Sequence, residues 1–157
     1  MKIIKKNAVL LFAAIVLISL AAGCGNTSSP GEEASVECNI SVSCGKALAS
    51  EKLAAEKKQL LPSDGIIACE KMNVSPSTNA FDVFKSLMMK NNIQYEASSS
   101  PVYIRGIDNL YELDCGGSSG WLYKVNGSIP DVSCADYIIK SGDEIEFFYT
   151  DDFNSEF

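Results

Sequence analysis

The chain of 157 residues contains no histidine. That absence removes Ser-His-Asp and Cys-His nucleophile pairs, His-containing zinc shells and imidazole acid–base chemistry, all of which need a nitrogen ligand or a group titrating near neutrality. No two of the six cysteines stand in C-x-x-C spacing, so a thioredoxin-like dithiol and a zinc ribbon are excluded as well. Basic clusters are scarce: beyond the first six residues the longest basic run is Lys57-Lys58. A polyphosphate binder releases counterions through a basic patch, and this sequence has none, so no nucleic-acid partner is expected. The one long uncharged apolar stretch, Ala8 to Gly23, is shorter than the roughly 20 residues needed to span a bilayer. The acids fall in turns and on exposed strand faces rather than as a pair facing a cleft, so the chain is expected not to be an enzyme. No segment repeats another.

What is present begins with Met1-Lys2-Ile3-Ile4-Lys5-Lys6, a basic start followed by the apolar stretch and by Leu20-Ala21-Ala22-Gly23-Cys24. A basic segment, an apolar segment and small residues in that order have the layout of a signal peptide over residues 1–23. Leu20 to Cys24, across its end, resemble the lipobox of bacterial lipoproteins, which makes Cys24 the expected lipidation site. Removal of Lys2, Lys5 and Lys6 changes 13 basic residues to 10 against 20 acids, and the net charge from −7 to −10. The expected location is the extracytoplasmic side of a membrane, held by acyl chains that each contribute about 0.8 kcal/mol per buried CH₂. Residues 24–35, rich in Gly, Ser, Thr, Pro and Glu, read as a flexible tether.

From Val36 the pattern alternates strictly, with Val36, Cys38, Ile40, Val42 and Cys44 on one face, which is the period of a half-buried strand. Lys46 to Gln59, rich in Ala, Leu, Glu and Lys, predicts a helix ended by Leu61-Pro62-Ser63-Asp64-Gly65. Gly65 to Val74 predicts a second strand. Asn79 and its neighbours offer N-caps to a helix whose apolar face is Phe81, Phe84, Leu87 and Met88. Five short apolar runs follow: Ile93–Ala97, Val102–Ile104, Leu110–Leu113, Trp121–Val125 and Glu144–Thr150, separated by turn residues. Residues 36–157 therefore predict an α+β domain, a small mixed or antiparallel sheet packed on one or two helices.

With Cys24 assigned to lipid, five cysteines remain, and outside the cytoplasm they read as structural. Cys38 and Cys44 lie six residues apart on one strand, roughly 20 Å, which is too far for a bond between them. Cys115 and Cys134 flank a loop and are the expected disulfide, with closure stabilising by roughly 3 kcal/mol in the chain-entropy model. Cys69 with Cys44 or Cys38 is a second candidate bond.

The densest pattern runs from Gly116 to Gly127, followed by Tyr137 to Thr150. Asn126-Gly127 and Ser141-Gly142-Asp143 are turn signals. Trp121, Tyr123 and Val125 share one face of a strand, as do Ile145, Phe147 and Tyr149. In order along the chain stand Cys38-x5-Cys44, Leu61-Pro62-x-x-Gly65, Phe81-Asp82-Val83-Phe84, Tyr103-Ile104-x-Gly106-Ile107, Ser119-Gly120-Trp121-x-Tyr123-x-Val125-Asn126-Gly127 and Gly142-Asp143-x-Ile145-Glu146-x-x-Tyr149-Thr150. Together these resemble the transcobalamin-like C-terminal domain family, domains of unknown function in bacterial surface lipoproteins, over nearly all of residues 36–157. The chain departs from the family pattern at Asp151, where a cysteine is expected after Tyr-Thr.

The resemblance implies a β-grasp (ubiquitin-like) sheet packed on a helix. In the transcobalamin branch this domain covers one face of cobalamin, and Ala135-Asp136-Tyr137 is similar to a segment near the corrin. A corrinoid, or another small ligand, is thus the expected occupant, taken by Trp121 and Tyr123 through stacking, by Gly117, Ser119 and Gly120 through the backbone of their loop, and by Tyr137. No resident cofactor and no metal are expected, and an uptake transporter is the partner that capture of such a ligand implies. The alternative expectation is a surface interaction or accessory domain that recognises a protein or glycan and takes no small molecule.

Overall fold

The structure is a computed structural model and describes residues 35–157. The expected signal peptide of residues 1–23, the lipidated Cys24 and the tether up to residue 34 lie outside the described residues.

The alternating segment forms β1 (Val36–Ser43), with Cys38, Ile40 and Val42 buried on one face and Glu37 and Asn39 exposed on the other. Cys44 then caps a short helix α1 (Gly45–Ala49), and α2 (Ala55–Lys58) follows. The single helix predicted over Lys46–Gln59 is thus two pieces. Ser50 between them takes an extended backbone, is 6% exposed, and its hydroxyl accepts from the Lys52 N–H. A serine that bonds nearby backbone competes with the helical ladder, and burial of Leu53 fixes the break.

β2 (Ile66–Val74) runs antiparallel to β1 after the turn at Gly65, whose φ of +74° and close approach to Gly45 suit only glycine. α3 (Ala80–Lys90) starts at Asn79, whose side chain accepts from the Asp82 N–H at 2.8 Å, a cap that contributes about 1 kcal/mol. It buries Val83, Phe84, Leu87 and Met88; Phe81 sits at the edge of this face with the Lys85 ammonium over its ring.

β3 (Tyr95–Ala97), β4 (Ile104–Ile107) and β5 (Leu110–Tyr111) make a small antiparallel sheet. β6 (Gly120–Val125) and β7 (Glu144–Thr150) complete the larger one, in the order β2-β1-β7-β6. β7 lies parallel to β1 and antiparallel to β6, so the first and last strands meet at the sheet centre. The fold is α+β, as expected, but its strands divide between two small sheets rather than forming one.

Register unites the two aromatic sets. Trp121 faces Tyr149, Tyr123 faces Phe147 and Val125 faces Ile145, so both sets lie on the inner side of one sheet. Phe84 of α3 packs on Phe147 with ring centroids 4.5 Å apart, and Tyr95 meets Phe84 edge-on at 5.1 Å. A fully buried side chain of this size contributes about 1.5–3 kcal/mol, which makes this contact the centre of the core.

The expected disulfides do not form: Cys38, Cys44, Cys69, Cys115 and Cys134 are all free thiols. Cys115 is buried beside Ser50 and Tyr149, whereas Cys134 points to the Val102 carbonyl at 3.9 Å near the start of α3, so the loop they flank brings them to different parts of the core. Cys69 stands opposite Ser41 on the exposed side of the sheet, while Cys38 and Cys44 are buried on the inner side. The period of two separates them across the sheet.

Candidate functional site

The Gly116–Gly120 segment expected to approach a ligand is a tightly bonded turn. Ser119 is fully buried; its hydroxyl donates to the Gly116 carbonyl at 2.8 Å and accepts from the Cys115 N–H at 3.0 Å. The Tyr149 hydroxyl sits between the Tyr111 carbonyl at 2.8 Å and Ser119 Oγ at 3.0 Å, and burial pushes its pKa up to about 12. Gly120 is packed against Phe153, whose ring a Cβ would meet at 2.9 Å. Ser119 and Gly120 are consumed by structure; Gly117 alone of the three is exposed, with open space around it.

Trp121 is likewise a core residue, 4% exposed. Its indole N–H donates to the Leu110 carbonyl at 3.0 Å, and its ring meets Tyr149 edge-on at 5.3 Å. Tyr137 lies apart: its hydroxyl donates to Asp143 at 3.1 Å, and its carbonyl accepts from the Ala80 N–H. Burial first, then the Asp143 carboxylate, raises its pKa. Asp143, itself 4% exposed, also accepts from the Lys140 N–H and the Asn126 amide, so this group ties two turns to the start of α3.

Tyr123 and the edge of Trp121 do reach a concave surface. Val102, Tyr103 and Ile104 form one wall of an apolar groove, β6 its floor, and the loop of residues 129–134 the other wall, around a volume of about 220 Å³. The loop is fastened by two bonds: the Tyr123 hydroxyl donates to the Val132 carbonyl at 2.6 Å and Ser133 Oγ to the Val102 carbonyl at 3.0 Å. Burial holds the Tyr123 phenol at about 12 and the Cys134 thiol at about 11, so both stay neutral at ordinary pH. Tyr123 stacks on Phe147 with centroids 5.8 Å apart, which leaves it one edge toward the groove.

The residues most open to an incoming molecule are Tyr103 and Val132, 45% and 48% exposed on opposite walls. Sequence reasoning placed neither in the site. Tyr103 appeared only as a family motif position, and Val132 sits in a loop with no pattern of its own. The signal that could have found Tyr103 is the break in alternation before Ile104, where an aromatic precedes a buried strand.

Residues 77–151 match the family model described as Domain of unknown function (DUF4430). No curated protein matches the chain in sequence. Among solved structures, the chain is similar to haptocorrin, solved in complex with Cbi, with a TM-score of 0.54 and 14% identity over 76% of this chain. The matched region covers 26% of haptocorrin, so this chain corresponds to about a quarter of that protein. A protein of Ruminococcus gnavus described as a candidate metal binder is more distant, at a TM-score of 0.45 and 13% identity over 73% of this chain and 96% of that one. The family match and the shared fold with haptocorrin agree with the motif order, and the chain resembles the transcobalamin-like C-terminal domain family.

Proposed function

We propose that this chain is a lipid-anchored, extracytoplasmic binding module whose apolar groove takes one edge of a large flat ligand, a corrinoid being the first choice. In this reading residues 1–23 are a signal peptide, Cys24 carries the anchor, 24–35 is the tether and 36–157 is the binding domain; the chain catalyses no reaction and delivers its ligand to an uptake transporter.

The observation that carries the reading is the groove itself, an apolar channel with exposed Tyr103 and Val132 on its lips, in a fold shared with haptocorrin. Small-ligand sites run to about 300–1,000 Å³, so a groove of about 220 Å³ accepts part of a corrin rather than enclosing it. Its walls supply apolar contact from Val102 and Val132 and an aromatic face from Tyr103. The Tyr123 and Ser133 hydroxyls are already bonded to backbone, so they shape the groove rather than greet the ligand.

The test is titration of the full chain with cyanocobalamin and cobinamide, followed by visible absorbance and by heat. Binding is expected, weakened by Tyr103→Ala, which removes an exposed ring at little cost to stability. Absence of any change up to about 100 μM, a range where a contact worth about 5.5 kcal/mol would register, refutes the proposal.

A further inference from the structure

The outer face of the four-stranded sheet carries a second concavity, larger than the groove and more polar. It has a volume of about 670 Å³, within the range of small-ligand sites, and runs between the start of α1, the turn at Asp64-Gly65 and the turn at Gly127-Ser128. Parallel pairing puts Ser43 beside Phe148, and antiparallel pairing puts Lys124 beside Glu146, so the floor is a cross-strand array.

The polar side chains of this trough are fixed rather than loose. Glu146 accepts from the Ser43 hydroxyl at 2.8 Å with one oxygen and pairs with the Lys124 ammonium at 2.8 Å with the other. Glu156 holds a similar pair of partners on a single oxygen: its Oε1 accepts from the Thr150 hydroxyl at 2.6 Å and pairs with Lys46. Both ammonium groups hang over the Phe148 ring, at 4.9 Å for Lys124 and 5.8 Å for Lys46. Two carboxylate–ammonium–hydroxyl sets therefore flank one buried aromatic residue. Partly exposed ion pairs return about 0–1 kcal/mol each, while an ordered lysine loses up to about 2 kcal/mol of rotamer freedom, so stability alone does not account for this order.

The geometry points to a binding site for a neutral, hydroxyl-rich ligand, an oligosaccharide, in this trough. Adjacent carboxylate and ammonium groups offer an acceptor and a donor a few ångströms apart, the spacing of neighbouring sugar hydroxyls, and each is held in place before the ligand arrives. Charge selects the class. Asp64, Glu146 and Glu156 against Lys46 and Lys124 leave a near-neutral lining, which recruits neither a polyanion such as nucleic acid or phosphate nor a strongly basic peptide. The exposed polar groups exclude a lipid, because burying them against an acyl chain would leave them without hydrogen-bond partners.

The experiment is calorimetric titration of the full chain, kept in a detergent without a sugar head group, with chitotetraose and with maltotetraose. Saturable binding of at least one tetramer is expected, weakened at least about tenfold by Lys124→Met and by Glu146→Gln. Both positions are on the sheet surface, so circular dichroism should show unchanged melting in both variants; should Glu146→Gln melt early, Lys124→Met decides alone. Tyr103→Ala, in the apolar groove on the other side of the sheet, should leave sugar binding unaltered. No saturable binding of either tetramer up to about 10 mM, or binding that survives Lys124→Met unchanged, overturns the inference.

Discussion

Trp121 is the only tryptophan of the chain, and its role separates a structural aromatic from a ligand platform. Replacement by phenylalanine keeps a ring on β6 but removes the indole N–H and part of the ring volume. The N–H donates to the Leu110 carbonyl at 3.0 Å inside the core; that carbonyl keeps its ladder pairing with β4, so the loss is that of one buried hydrogen bond, about 0.5–1.5 kcal/mol. The smaller ring leaves a void against Tyr149, now met edge-on at 5.3 Å, and adds about 1 kcal/mol. The sum, about 1.5–2.5 kcal/mol, is a large share of the roughly 5–15 kcal/mol available to a domain. At about 4 °C per kcal/mol for a domain of this size, the melting temperature should fall by roughly 6–10 °C. Urea unfolding followed by circular dichroism is the assay, with the midpoint shifted and the slope preserved. The native indole emission should also resist acrylamide quenching. A loss below about 1 kcal/mol would refute the buried hydrogen bond. A variant of undiminished stability that has lost corrinoid binding would restore Trp121 to the ligand face.

Thiol labelling tests the cysteine assignments: Cys69 should react at once with Ellman's reagent in the folded protein, while Cys38, Cys44, Cys115 and Cys134 react only on unfolding without reductant. Two thiols missing from the unfolded count would show that a bond such as Cys115–Cys134 had formed. Stability should also fall in alkali. Burial raises Cys44 and Cys134 from 9.0 to about 11 and Tyr149 from 10.0 to about 12, so their stabilising effect is complete below pH 9. Above that the unfolded chain sheds protons that the folded chain keeps, and stability is lost as pH rises toward the folded values, by up to about 1.4 kcal/mol per pH unit for each group. Melts between pH 8 and about 11 follow it, and a flat profile would contradict the burial of these groups.

The parts of the fold that were legible in sequence are those where one physical signal acts alone. Strict alternation marks β1, and Asn79 before an apolar stripe marks α3, because burial and capping there point the same way. The break at Ser50 was not legible. Lys46 to Gln59 has helix-forming composition throughout, and what interrupts it is the burial of Ser50 and Leu53, contacts that propensity does not contain. The cysteines fail for a related reason. Loop length says which pairs a chain could close, but the direction in which each strand faces its core decides which thiols meet.

The candidate site was half legible, and the missing half follows from register. Trp121, Tyr123 and Val125 share a face, and nothing in their spacing says whether that face looks at a ligand or at another strand of aromatics. Pairing β6 with β7 turns Trp121 to Tyr149 and Tyr123 to Phe147, so the same alternation that made a ligand platform attractive supplies the core instead. An aromatic strand motif is consumed this way whenever its partner strand carries a complementary set, and recognition then passes to the rim, where a side chain is left with no partner across the sheet. Here the rim is Tyr103 and Val132. Substituting the rim should therefore change affinity without changing stability, whereas substituting the motif should change stability first.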